Sequence, residues 1–184
     1  NKINLSKQNY LNTEYLGFYS KDTLSPIKNL KIRQAINYGF DREKMLKFLR
    51  NNIGSPAVNG FIPKGMPSFS ENVIGFNYDK EKSKQLISEV KEMNNGILDP
   101  VVLSTNASYL DLCEYIQNEL GKNGLEIEIN VNPPSTHRQM VATSKLSFFR
   151  ASWIADYPDG ENYLSLFYSK NHSPNGPNYT HFNN

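Results

Sequence analysis

Three carboxylates fall within six residues in the run Asp156-Tyr157-Pro158-Asp159-Gly160-Glu161. Carboxylates so grouped could do one of three things. A pair facing across a cleft can hydrolyse glycosides, and a cluster can hold calcium. A single one framed by aromatic rings suits a cationic group, above all an ammonium, because the rings exclude water and strengthen the pair. Two of the three carboxylates have plainer uses. Asp159-Gly160 is a common turn pair, and Glu161 sits where the first turn of a helix welcomes negative charge. Asp156 differs: it follows an apolar run, lies between Trp153 and Tyr157, and precedes Pro158, which fixes the turn. Taken by itself Asp156 has two open readings, a receptor for an ammonium or the cap of a helix beginning near Glu161.

Other chemistries lack their residues. The chain has no Gly-x-Ser-x-Gly elbow, phosphate loop, Gly-x-Gly-x-x-Gly or His-Glu-x-x-His. His137, His172 and His181 stand in loop-like segments without ligand spacing. No catalytic residue, metal or cofactor is therefore expected. The single Cys113 excludes an intramolecular disulfide and a multi-cysteine metal site. Twenty basic and eighteen acidic residues, interspersed, give a formal charge of +2, which argues against nucleic acid as a partner. No apolar stretch approaches the ~18–20 residues that span a bilayer. Eleven Tyr, ten Phe and one Trp make up 12% of the chain, a supply that serves core packing and ligand contact alike. The chain begins at Asn1 without a basic-apolar leader, so a piece of a longer protein is expected.

The elements that must position Asp156 are legible from periodicity. Tyr15 to Tyr19 reads as a strand. Ile32, Ala35, Ile36 and Phe40 share a helical face. Asp41 can cap a second helix carrying Met45, Phe48 and Leu49, with Ile53 near its end. Residues 54–77, punctuated by Pro56, Pro63 and Pro67, form a long loop expected to pack on the body or line a site. Asp79 can cap a third helix with Leu86, Val90 and Met93 inward. Val101-Val102-Leu103 is a short buried strand, and Tyr109, Leu112, Cys113, Ile116 and Leu120 mark an amphipathic helix. Ile127, Ile129 and Val131 alternate as a half-exposed strand. A short helix from Ser135 to Ser144 follows Pro133-Pro134, and Phe148 to Ile154 is the last strand. Strand, helix, strand, helix, strand with short links predicts an α/β layer with parallel pairing. Ligands in such sheets meet loops at the carboxyl ends of strands, which is where Asp156 falls. The tail from Ser169, rich in Asn, Pro and His, carries no further core pattern.

Four blocks resemble one family. Phe149-Arg150-Ala151-Ser152-Trp153-Ile154-Ala155-Asp156-Tyr157-Pro158-Asp159, followed by Asn162-Tyr163-Leu164 and Phe167, is similar to the signature of the oligopeptide- and dipeptide-binding proteins of ABC importers. Arg33-Gln34-Ala35-Ile36-Asn37-Tyr38-Gly39-Phe40-Asp41-Arg42 resembles that family's Arg-x-Ala-x-x-x-Ala-x-Asp-Arg block, with Gly39 as a small-for-small change. Tyr15 to Phe18 and Asn175 to Tyr179 resemble the flanking blocks, in the family's order.

The resemblance implies an α/β lobe, the second of a two-lobed, clam-shell receptor of the periplasmic-binding-protein type, with a mixed sheet flanked by helices. Residues 1–184 would be that single lobe, with 1–14 and 169–184 as hinge-side or surface segments. It implies that Asp156 receives a peptide's α-ammonium, that Trp153 lines the pocket and that Arg150 can meet a ligand carboxylate. Tyr157, Asn106 and Tyr109 complete the candidate ligand-binding set, while Arg33 and Asp41 are carried over as structural braces of two helices. The parent is expected to be a monomeric, non-enzymatic, extracytoplasmic solute-binding protein, periplasmic or anchored as a lipoprotein. It would hand short peptides to membrane-bound ABC permease subunits. The segment Asn132-Pro133-Pro134-Ser135 lacks an aromatic that oligopeptide binders often carry there, which leaves ligand length open. Metal chelates, haem and sugars remain alternative ligands of the same fold, and a carboxylate-based hydrolase and a pure interaction module the further alternatives.

Overall fold

The computed structural model describes residues 10–183. Of the expected end segment 1–14, residues 1–9 lie outside the described residues. Four strands form one mixed sheet in the order β1-β4-β2-β3: β1 (Asn12–Phe18), β2 (Val101–Asn106), β3 (Ile127–Asn132) and β4 (Phe148–Ile154). β2 runs parallel to β3 and β4, while β1 is antiparallel to β4. The three strands expected in one sheet are thus neighbours. β2 is longer than the apolar triplet suggested, because Ser104 and Thr105, both buried, continue the ladder.

Helices cover both faces. α1 (Leu30–Tyr38), α3 (Lys80–Met93) and α4 (Leu110–Gly121) build the main core on one side. Ile32, Ala35, Ile36, Ile87, Val90, Cys113, Ile116 and Leu120 meet Val101, Leu103, Ile127 and Phe148 there. α5 (Pro134–Ala142) lies on the other, where Val141 and Leu146 pack with Phe149, Tyr15 and Tyr179. The capping expectations hold: Asp41 accepts from the Lys44 amide and Asp79 from the Lys82 amide, at 3.0 and 2.9 Å. Each satisfies an amide that has no partner within the helix.

Some expected core positions are exposed. α2 (Arg42–Leu49) buries no residue; Phe48 and Ile53 lie in solvent, as does Met93 at the end of α3. In α3 the inward position is taken by Ile87, one residue round from the assumed stripe, with Ser83 beside it. Ser83 tolerates complete burial because its hydroxyl donates to the Ala35 carbonyl at 2.9 Å.

Gly39 is more than a small-for-small change. A Cβ there would sit 2.4 Å from Leu120 Cδ2 and 2.8 Å from Ser83 Oγ. Beside it the Asn123 amide donates to the Gly39 carbonyl at 3.0 Å. The missing methyl lets α1, α3 and the end of α4 approach.

The 54–77 loop packs on the body as expected: Met66 is buried, and the Thr13 hydroxyl donates to the Phe61 carbonyl at 3.0 Å. The tail contributes buried polar side chains. Asn178 is wholly enclosed, donates to the Tyr168 and Phe182 carbonyls and accepts from the Phe182 amide. No helix among the described residues is long and apolar enough to cross a membrane.

Candidate functional site

The carboxyl ends of β2 and β4 point the same way, and the register between them is offset. Ser104 stands opposite Phe149, so β2 ends while β4 continues. Ser152, Trp153 and Ile154 run on, paired with Glu14, Thr13 and Asn12 of β1. Successive strand residues point to opposite faces. Phe148 enters the α1/α3/α4 core and Phe149 the α5 side. Arg150 therefore belongs to the first face and Trp153 to the second, about 10 Å further along the strand. The six candidate residues split into two groups.

The first group is Arg150, Tyr109 and Asn106. Arg150 is only 7% exposed. Its Nη2 donates to Glu14 Oε2 of β1 at 2.5 Å, and its Cζ lies 3.1 Å from the centre of the Tyr109 ring. Its Nε is buried without a partner. Asn106 Oδ1 accepts from the Ser108 amide at 3.0 Å, which forms the single helical turn carrying Tyr109. Tyr109 borders an open groove of about 590 Å³ shared with Arg50, Asp111 and Glu114. Arg50 ties α2 to the start of α4 by a two-pronged bond to Asp111, at 2.7 and 3.1 Å. That bond holds the Asp111 carboxyl below the usual carboxylate range and raises Arg50 in turn.

The second group follows the strand end. Trp153 Nε1 donates to Asn162 Oδ1 at 2.7 Å, and Asn162 is buried on α6 (Glu161–Leu164). The indole plane is thereby fixed. The Tyr163 hydroxyl and the Ala155 amide both donate to the Leu11 carbonyl, at 2.9 and 3.1 Å, which pins the loop carrying Asp156 to the start of β1. Asp156 itself is exposed, as is Tyr157. Among the described residues Asp156 has neither a hydrogen bond nor an ion pair. Asp159 instead accepts from the Glu161 amide, at 2.8 Å. The helix-capping reading of Asp156 is therefore overturned: that bond belongs to its neighbour three residues on.

The structural residues act locally. Arg33 Nη1 donates to the Ile27 and Lys28 carbonyls at 2.7 and 3.0 Å, bracing the turn before its own helix. The Asp41 carbonyl accepts from the Tyr115 hydroxyl at 3.1 Å, linking α2 to α4. His137 is buried, with Nε2 2.9 Å from the Arg150 carbonyl. No group of three His, Cys, Asp or Glu among the described residues is placed to hold a metal. Sequence reasoning missed Glu14, Arg50, Asp111 and Asn162. The first three are charged positions on amphipathic elements, indistinguishable from solvent-facing ones until their long-range partners are known.

Residues 1–175 match the family model described as bacterial extracellular solute-binding proteins, family 5 Middle. The chain belongs to that family. Two relatives match it across nearly all its length. Heme-binding protein A of Haemophilus influenzae is 27% identical over 187 residues, covering 100% of this chain and 34% of its own. The dipeptide-binding protein of Escherichia coli is 26% identical over 182 residues, covering 97% of this chain and 34% of its own. The chain thus spans about a third of the curated relatives it matches. The structure of Listeria monocytogenes OppA bound to peptide superposes with a TM-score of 0.80 at 22% identity, over 96% of this chain and 36% of that one. The fold is that of one lobe of a two-domain periplasmic binding protein, as the sequence blocks implied.

Proposed function

We propose that this family 5 chain is the second, ligand-binding lobe of an extracytoplasmic receptor that captures short peptides for an ABC importer. The observation that carries the reading is Asp156: a carboxylate at the end of β4, free of helix-capping duty, beside a hydrogen-bonded Trp153 and an exposed Tyr157. In the open receptor Asp156 is hydrated and accepts the α-ammonium of an entering peptide. Closure of the other lobe then removes water, and the charge-assisted bond contributes about 1.5–3 kcal/mol, enough to orient a ligand without supplying all of its affinity. Trp153 and Tyr157 wall the ammonium. The closed form docks on membrane permease subunits. No bond is made or broken, so the receptor is a binding protein and not an enzyme, working as a monomer outside the cytoplasm, free or lipid-anchored.

The experiment is calorimetry on the full-length receptor with free-amine and N-acetylated peptides, in wild type and Asp156→Asn. Asn keeps the shape and removes the charge, leaving an ammonium buried and unpaired. Free-amine peptides are expected to lose about 2–5 kcal/mol and acetylated ones little. Equal binding of free-amine peptides by both proteins sinks the assignment. A second reading, a non-peptide solute such as haem, draws on the resemblance to Heme-binding protein A. Native mass spectrometry of the full-length receptor separates the two by the mass of the co-purified ligand.

A further inference from the structure

Among the described residues Arg150 is the only buried Lys, Arg, Asp or Glu. Its guanidinium packs on Tyr109, which borders the open groove, and a guanidinium reached from there would receive a carboxylate, since its planar fork matches both oxygens. In this chain that receptor is already occupied. Glu14 reaches across from β1 to Arg150 Nη2, and Tyr109 covers the guanidinium face at 3.1 Å. The exposure of the pair is lopsided: the Arg150 side chain is 9% exposed and that of Glu14 40%. Arg150 Nε is sealed from solvent altogether. An approaching ligand therefore meets the acid of this pair and not its base. Asp111 and Glu114 on the groove rim add two more carboxylates, and the one further guanidinium there, Arg50, is held by Asp111.

We propose that Glu14 is a specificity-determining residue: by keeping Arg150 in an internal ion pair, it turns this edge of the lobe away from ligand carboxylates. A peptide's C-terminal carboxylate could reach Arg150 only by expelling Glu14. It would then sit beside the displaced acid, with like charges opposed at short range. Ligands are selected at their amino end, by Asp156, and not by a carboxylate at the Arg150 edge. This rests on the peptide reading above and adds to it which end of the ligand is read.

The test uses the full-length receptor with three probes: trialanine as the free acid, its C-terminal amide and its N-acetyl form. Wild type is expected to bind acid and amide within about threefold of each other. In Glu14→Gln the guanidinium is released, and the acid should bind about tenfold tighter than the amide. Adding Arg150→Gln to that background should return the ratio to the wild-type value. A wild-type preference of tenfold or more for the acid overturns the proposal, as does an unchanged ratio in a folded Glu14→Gln protein. Should Glu14→Gln fail to fold, Glu14→Asp retains the charge but retracts it by one methylene, and an intermediate ratio is expected. An unchanged ratio there also overturns the proposal. Failure of wild type to bind any of the three probes removes the peptide reading and this inference with it. Binding of all three with no effect at position 14 removes only the role of Glu14.

Discussion

The Arg150 Cζ lies over the Tyr109 ring, 3.1 Å from its centre, while Glu14 holds the Arg150 Nη2. A cation resting on an aromatic face and shielded from water is worth on the order of 2 kcal/mol. Tyr109→Phe keeps that face and is expected to leave stability within about 0.5 kcal/mol. Tyr109→Leu keeps the apolar bulk but loses the ring, and should cost about 1–2 kcal/mol. Urea unfolding of both variants checks this, and equal midpoints would mean the ring serves only as packing.

Gly39, the residue that closes α1, gives a prediction that runs against its backbone conformation. Its φ of -82° is open to any residue, yet an alanine Cβ would fall 2.4 Å from Leu120 Cδ2 and 2.7 Å from the Ala35 carbonyl oxygen. Gly39→Ala should therefore destabilise the fold by about 1–3 kcal/mol. A neutral or stabilising result by thermal melting would show that α1 and α4 can move apart freely.

Cys113 is fully enclosed on the inner face of α4, and burial pushes its thiol pKa up. Both effects suppress the thiolate that reacts. Labelling by a thiol reagent in native buffer should be slow and should become stoichiometric in denaturant. Prompt native labelling would mean that α4 opens locally.

His181 anchors the tail. Its Nε2 lies 3.0 Å from the hydroxyls of Ser144 and Ser173, and its ring stacks on His172 with centres 4.6 Å apart. Burial first, and the charge of His172 second, lower its pKa below the ordinary 6.5. The unfolded chain then binds the proton more readily, so this contribution is complete above the unfolded value of about 6.5 and is lost as pH falls through the lower folded one. The ion-paired Asp111, also lowered, acts in the same sense at more acid pH. Melting temperature should fall as the pH is taken down through and below the unfolded histidine value of about 6.5. His181→Gln should flatten that decline, and an unaltered slope would place its origin elsewhere.

Much of the lobe could be read from residues alone because its signals are local. Periodicity located α1, α4 and β4, the side chains of Asp41 and Asp79 placed two helix starts, and the β-α-β-α-β order dictated parallel neighbours. The same locality explains the errors. Phe48, Ile53 and Met93 have the right chemistry for a core, but whether a neighbour covers them depends on elements far along the chain. Ile87 beats Met93 for the interior only once α1 has docked on α3.

The site divides along the same line. The sequence determined that a carboxylate follows the end of β4 between aromatic residues. That Asp156 does not cap the following helix was decided in three dimensions, where Asp159 takes the Glu161 amide. The tertiary structure also parted Arg150 from Trp153, since residues three apart on a strand face opposite ways. And it supplied Glu14, which lies 136 residues from Arg150 in sequence and meets it only because β1 pairs antiparallel with β4. Charge pairing across such a distance leaves no local trace, because the free energy of an ion pair depends on separation and burial, and neither exists until the sheet has formed.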